Sequence, residues 1–371
     1  MNLRLVERIV NAVLYEGYIL YPYRASAVKN QQRFNFGALY PESYSIAQSG
    51  TDAWNMQTEC LVLAGTDTAL DVKARFLHLL ARNVCVPISD CGIRISDCRE
   101  EDFRVVESLE VDGQLFQTWQ EAVERDVSIA TLKLNDLVKE PRRFAFEFPS
   151  RREIEPLRDA SGKTVGVIIR KQQSIEGAIE LQAVECVLKD NLPFANPQSA
   201  FRNPQLFKVS VRILNLTKPR DESFKSRDDA LMRSLVSTHT ILGVRKGKFV
   251  SLLDPPEAFS EAVSSCRNIG TWPVLVGEQG ERDCMLSSPI ILYDYPEIAP
   301  ESAGDLFDGT EIDEILTLRI MTLTDEEKRE MRGVDERARQ ILERTETLPF
   351  EQMMKLHGAM RTVAPSKEDE R

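Results

Sequence analysis

Apolar residues at Leu5, Ile9, Val10, Val13 and Leu14 recur at the spacing of one helical face. They predict an amphipathic helix over the first fifteen residues, stopped near Gly17. The period then changes. In SIEGAIELQA, Ile175, Ile179, Leu181 and Ala183 alternate with Glu176, Glu180 and Gln182, and in FKVSVRI, Phe207, Val209, Val211 and Ile213 alternate with Lys208, Ser210 and Arg212. A period of two predicts strands with one buried and one wet face. Residues 55–63 and 70–80 are rich in Val, Leu and Phe, and read as a hairpin around Gly65-Thr66-Asp67-Thr68. Asp112-Gly113, between 104–111 and 114–127, predicts a tight turn. Residues 236–253 repeat the theme, with a turn expected at Lys246-Gly247.

From Thr324 the helical period returns. Thr324 and Glu327 form a capping box ahead of Met331, Ala338, Ile341 and Leu342, in a helix expected to kink at Gly333. Pro349 marks the start of a further helix through Met360, and a polar tail begins at Pro365. These patterns predict a mainly β protein of the α+β class, an antiparallel sandwich or barrel-like core with helices at both termini. Three parts are expected: residues 1–50 (helix and Tyr-rich basic segment), 51–293 (β-rich core, as one unit or two sub-domains) and 294–371 (acidic loop, helices and tail).

At 371 residues, with 42% hydrophobic and 28% charged positions, the chain has the composition of a globular protein that folds without staples. Glu7, Arg8, Asn11 and Glu16 interrupt the N-terminal apolar stretch, so neither a membrane span nor a cleaved signal is expected, and the chain reads as cytoplasmic. The net charge of −11 is not evenly spread. Residues 1–276 hold 35 Lys and Arg against 35 Asp and Glu, so the excess acid lies beyond them. Residues 294–314 hold eight acidic residues and no Lys or Arg. Residues 218–248 lean basic but contribute few aromatics in a chain of pI near 5.1, so no nucleic-acid partner is expected.

Candidate chemistry is sparse. Seven cysteines do not make a secreted disulfide framework, and Cys85, Cys91 and Cys98 match no common zinc or iron–sulfur spacing. His78, His239 and His357 lie far apart. Ser161-Gly162-Lys163-Thr164 resembles the end of a phosphate-binding loop, but Leu157 stands where that loop needs Gly and a strand follows. Asn215-Leu216-Thr217 has the form of a glycosylation acceptor and reads as a coincidence.

The eight tyrosines are segregated: Tyr15, Tyr18, Tyr21, Tyr23, Tyr40 and Tyr44 near the start, and Tyr293 and Tyr295 beside the acidic stretch. Tyr pairs an apolar face with a hydroxyl that needs a partner, which suits interfaces, and Arg24, Lys29 and Arg33 accompany the first group. Tyr21, Tyr23, Arg24, Lys29, Arg33, Tyr293 and Tyr295 are therefore the expected partner-binding residues. The two ends are expected to meet, with the local alternative that each Tyr group lines its own core.

Residues 14–41, LYEGYILYPYRASAVKNQQRFNFGALYP, and residues 285–331, from MLSSPIILYDYPEIAP to LTDEEKREM, resemble an uncharacterised bacterial family associated with nickel-iron hydrogenase gene clusters. The resemblance implies an accessory or assembly role, with hydrogenase subunits or maturation factors as partners and no catalytic residues carried over. The leading expectation is thus a non-catalytic assembly or scaffold protein, without cofactor, membrane or nucleic acid. The alternative is a metal-dependent enzyme in which Asp305, Asp308, Glu311 and Asp313 share a hard cation that activates water.

Overall fold

A single strand organises the sheet. In the computed structural model, which describes residues 3–15, 37–88, 102–186, 205–221, 224–297, 317–318, 320–334 and 336–349, β1 (Asn55–Pro87) runs for 33 residues. Its even positions face inward: Met56, Cys60, Val62 and Ala64, then Leu70, Val72, Ala74 and Phe76, are buried. One edge pairs in succession with β10 (Gln205–Asn215), β5 (Trp119–Lys133) and β2 (Phe103–Val106). The other edge pairs with β11 (Val236–Phe249) and then β8 (Thr164–Gln172).

The hairpin expected at Gly65–Thr68 and the turn expected at Lys246-Gly247 are one bulge seen from its two strands. Pairing passes from Ala64↔Gly247 to Ala69↔Arg245, leaving Gly65 to Thr68 opposite Lys246 alone. Thr68 stitches the excursion: its hydroxyl accepts from the Gly65 N–H at 2.8 Å and donates to the Lys246 carbonyl. Lys246 takes a left-handed φ of 53°. Turn-forming chemistry serves a bulge as well as a reversal, and here partners on both edges carry the strand straight on.

A long ribbon forms the opposite wall. β6 (Arg142–Phe148) and β7 (Arg151–Arg158) face β9 (Ile175–Cys186) and β8 in one register, from Arg142↔Leu181 to Leu157↔Gly166. The Ser161–Thr164 motif closes it as a plain turn. The Asp159 carboxylate accepts from the Ser161 and Lys163 N–H groups, and Gly162 takes φ 82°. β9 pairs with β10, and the alternation predicted for both is observed. Beyond β11 the sheet continues through β13 (Cys284–Ser288) to β12 (Trp272–Leu275). Every pairing is antiparallel, in one sheet of 11 strands. The predicted Asp112-Gly113 turn joins β3 (Ser108–Val111) to β4 (Gln114–Gln117), with φ values of 50° and 81°.

The sheet curls over itself around one large core. Phe146 and Phe148 of β6 stand 6.1 and 5.7 Å from Phe76 of β1, and α3 (Leu134–Lys139) adds Leu134 and Leu137. The predicted N-terminal helix, α1 (Leu3–Leu14), lays Val6, Ile9, Val10 and Val13 on the outer face of β11, β12 and β13. α2 (Glu42–Ala47) and α4 (Arg227–Leu231) sit nearby, and α5 (Ser260–Ser264) follows β11. At the far end are α6 (Asp325–Val334) and α7 (Glu336–Thr347). The capping box is present, with the Thr324 N–H donating to Glu327 at 2.8 Å. Gly333 lets α6 approach β4: a Cβ there would lie 2.3 Å from the Leu115 carbonyl oxygen. The helix expected after Pro349 and the tail lie outside the described residues.

Candidate functional site

Of the expected partner-binding residues, Tyr293 and Tyr295 are described, whereas Tyr21, Tyr23, Arg24, Lys29 and Arg33 lie outside the described residues, as do Asp305, Asp308, Glu311 and Asp313. The described tyrosines do not share one environment. Tyr40 and Tyr44 stack at 5.5 Å in a local core with Leu14, Leu77, Leu79 and Val236. Tyr15 packs against the edge of the same core, its hydroxyl donating to Glu124 of β5 at 2.9 Å. Tyr295 packs against the main core. α1 packs around Leu292 and Ile290, and a Cβ at Gly37 would lie 2.6 Å from Pro289, whereas Arg24, Lys29, Arg33 and the acidic stretch beyond Glu297 that were expected to meet lie outside the described residues.

The segment 289–295 has a geometry that the tyrosine count alone does not reveal. Leu292 is buried under α1, while its neighbours Ile291 and Tyr293 are 71% and 84% exposed. The segment is anchored on both sides of these residues. The Ile290 N–H donates to the Ser288 hydroxyl at 3.1 Å. The Asp294 carboxylate accepts from the Ser251 hydroxyl at 2.5 Å and the Leu275 N–H at 2.8 Å. The Tyr295 N–H donates to the Leu275 carbonyl and its hydroxyl to the Glu281 carbonyl, both at 2.7 Å. Asp294 is therefore a clamp on β12 as well as the start of the acidic run. Trp272, opposite Ser288 in the ladder, is 45% exposed. Ile291 was missed in the sequence; the signal was the alternation in IILYDY, where Leu292 turns inward.

Two histidines and three thiols in the interior are held in their neutral forms. Burial, with the nearby Arg125 guanidinium, lowers His78 to about 4, partly offset by the Gln173 backbone. Burial also lowers His239 to about 4, helped by Arg75 and opposed by a 2.7 Å contact of Nδ1 with the Ser237 carbonyl. Cys266 and Cys284 are pushed up by burial to about 11 and 12, and Cys60 upward likewise, so these thiols stay protonated at neutral pH. Cys85 is buried, while Cys91, Cys98 and His357 lie outside the described residues. Among the described residues no cluster of three or more His, Cys, Asp or Glu is arranged to hold a metal ion, and no helix is long and apolar enough to cross a membrane. The Asn215-Leu216-Thr217 motif is structural: the buried Asn215 amide donates to the Leu39 and Arg233 carbonyls at 2.8 and 2.9 Å.

No protein-family model matches the chain, and no curated protein matches it. Among solved structures, the secretin InvG of the Salmonella SPI-1 type III secretion injectisome is 11% identical over 60% of this chain and 72% of that chain, with a TM-score of 0.10. The type IV competence pilus secretin PilQ of V. cholerae is 9% identical over 47% and 64%, with a TM-score of 0.08. Likeness at this level carries no argument about fold or function.

Proposed function

We propose that this chain is a non-catalytic accessory protein that binds another protein through the Ile291–Tyr293 surface, in the assembly or maturation of a nickel-iron hydrogenase. The observation that carries the binding half is the pairing of exposure with anchorage. Large apolar side chains are held out to solvent by a segment whose backbone and flanking side chains are fixed. Pre-organised aromatic anchors lose little conformational freedom on binding, which is where interface energy concentrates. The hydrogenase half rests on the resemblance of residues 14–41 and 285–331.

Co-purification with hydrogenase subunits and maturation factors tests both halves. Tyr293→Ala and Ile291→Ala are expected to weaken capture by tenfold or more, about 1.4 kcal/mol, while the thermal midpoint stays within about 1 °C of the parent because neither side chain is buried. Unchanged capture by the double variant would remove this surface from the proposal. If no hydrogenase component is captured by the parent chain, the assignment to hydrogenase assembly fails.

A further inference from the structure

β6 ends its side of the sheet. Its residues pair with β9 on one edge, and among the described residues the other edge of Arg142–Phe148 makes no backbone hydrogen bond. A free edge of this kind presents outward N–H and C=O groups on which an extended chain can add. β7, which continues the same ribbon, carries Pro156 and follows Pro149, and neither can donate to an added strand. β6 itself contains no proline. Its side chains alternate: Phe144, Phe146 and Phe148 turn toward the core yet remain partly exposed, while Arg143, Ala145 and Glu147 face solvent.

Beside the first residues of β6 the outer face of the sheet forms a hollow of about 300 Å³, whose lining includes Arg142, Arg143, Glu180, Gln182, Ser210 and Arg212. Glu180 lies between two of the arginines, its Oε1 3.2 Å from Arg143 Nη1 and its Oε2 3.0 Å from Arg212 Nη1. Arg142 reaches Glu140, 3.3 Å away on the exposed rim. Two guanidinium groups, those of Arg143 and Arg212, thus share the one carboxylate in the hollow, with Arg142 at its rim, and each contact to Glu180 engages one nitrogen of a fork able to make several hydrogen bonds. The surplus is positive at the start of β6, whereas Glu147 and Glu176 stand opposite one another in the ladder near its other end.

We propose that the free edge of β6 and the arginine-lined hollow beside it form a docking site for an extended acidic segment of a partner protein. The segment adds to β6 through main-chain hydrogen bonds. Its apolar side chains cover Phe144, Phe146 and Phe148, and its carboxylates enter the hollow at the Arg142–Arg143 end. This site is separate from the Ile291–Tyr293 surface, so its test needs no hydrogenase component and its failure leaves the proposed function standing.

The probe is a fluorescein-labelled seven-residue peptide of alternating valine and glutamate, titrated with the full chain and followed by fluorescence anisotropy at low and high salt. Saturable binding that weakens with salt is expected. Arg143→Glu combined with Arg212→Glu should weaken it by at least about tenfold. Glu180→Gln removes the carboxylate that competes for both arginines and should tighten binding several-fold, a gain that misfolding cannot produce. The same peptide with its backbone nitrogens methylated at alternate positions along one edge should lose binding. Equal affinity for the methylated peptide, or for a valine–lysine peptide, would overturn the proposal. So would absence of saturable binding, or sedimentation showing that copies of the chain already pair through β6.

Discussion

Mild acid should weaken this fold before its carboxylates titrate, because two histidines are buried in their neutral forms. His78 lies on the inner face of β1, edge-on to Phe148 with ring centroids 6.4 Å apart, and the Arg125 guanidinium sits 5.0 Å over the same Phe148 ring. His239 pairs with Arg75 across the ladder. Protonating either one places a cation in a dry site that already has a cation nearby. Both folded-state values are about 4, against an ordinary value of 6.5. Between those limits the unfolded chain binds more protons than the folded one, so stability is full above about pH 6.5 and falls as pH drops toward 4. Integrating from pH 7 to pH 5 gives a loss of about 2 kcal/mol for each histidine. For the pair this is a large share of the roughly 5–15 kcal/mol that holds a typical fold together. Urea unfolding at pH 7, 6 and 5 measures the slope directly. His78→Gln and His239→Gln should each halve it, whatever they cost at pH 7, and the double variant should be nearly flat over this range. A parent protein whose stability does not change between pH 7 and 5, or a double variant with the parental slope, would refute the reasoning.

Asn215→Ala should cost about 3 kcal/mol in urea unfolding, because it leaves the Leu39 and Arg233 carbonyls and the Thr217 N–H without their side-chain partner in a buried site; a loss under about 1 kcal/mol would contradict that role. Gly333→Ala discriminates by sign. Helix propensity alone would stabilise by up to about 1 kcal/mol, whereas the contact with the Leu115 carbonyl requires α6 to lift from β4. Lower stability with faster amide exchange in α6 and α7 is expected, and a stabilised variant would show that the contact is relieved at no cost.

What the chain determined by itself is local chemistry. The apolar face of α1, the alternation in β9 and β10, the Asp112-Gly113 turn and the Thr324–Glu327 capping box all follow from interactions within a few residues, and each is found in place. Mainly antiparallel β architecture follows from the same signals, since a period of two reports one buried and one wet face. Tertiary structure decided the rest. Gly65–Thr68 and Lys246-Gly247 carry the chemistry of turns, yet they form one bulge because β10, β5 and β11 supply partners that keep β1 extended through it. Asn215 read as a chance motif because its two carbonyl partners are 176 and 18 residues away. Tyrosine counting could mark residues 293 and 295, but only the anchoring of Leu292, Asp294 and Tyr295 separates a displayed side chain from a buried one. The arginine hollow was invisible for the same reason: Arg143, Glu180 and Arg212 belong to three strands, and only the register of β6, β9 and β10 brings their charges together.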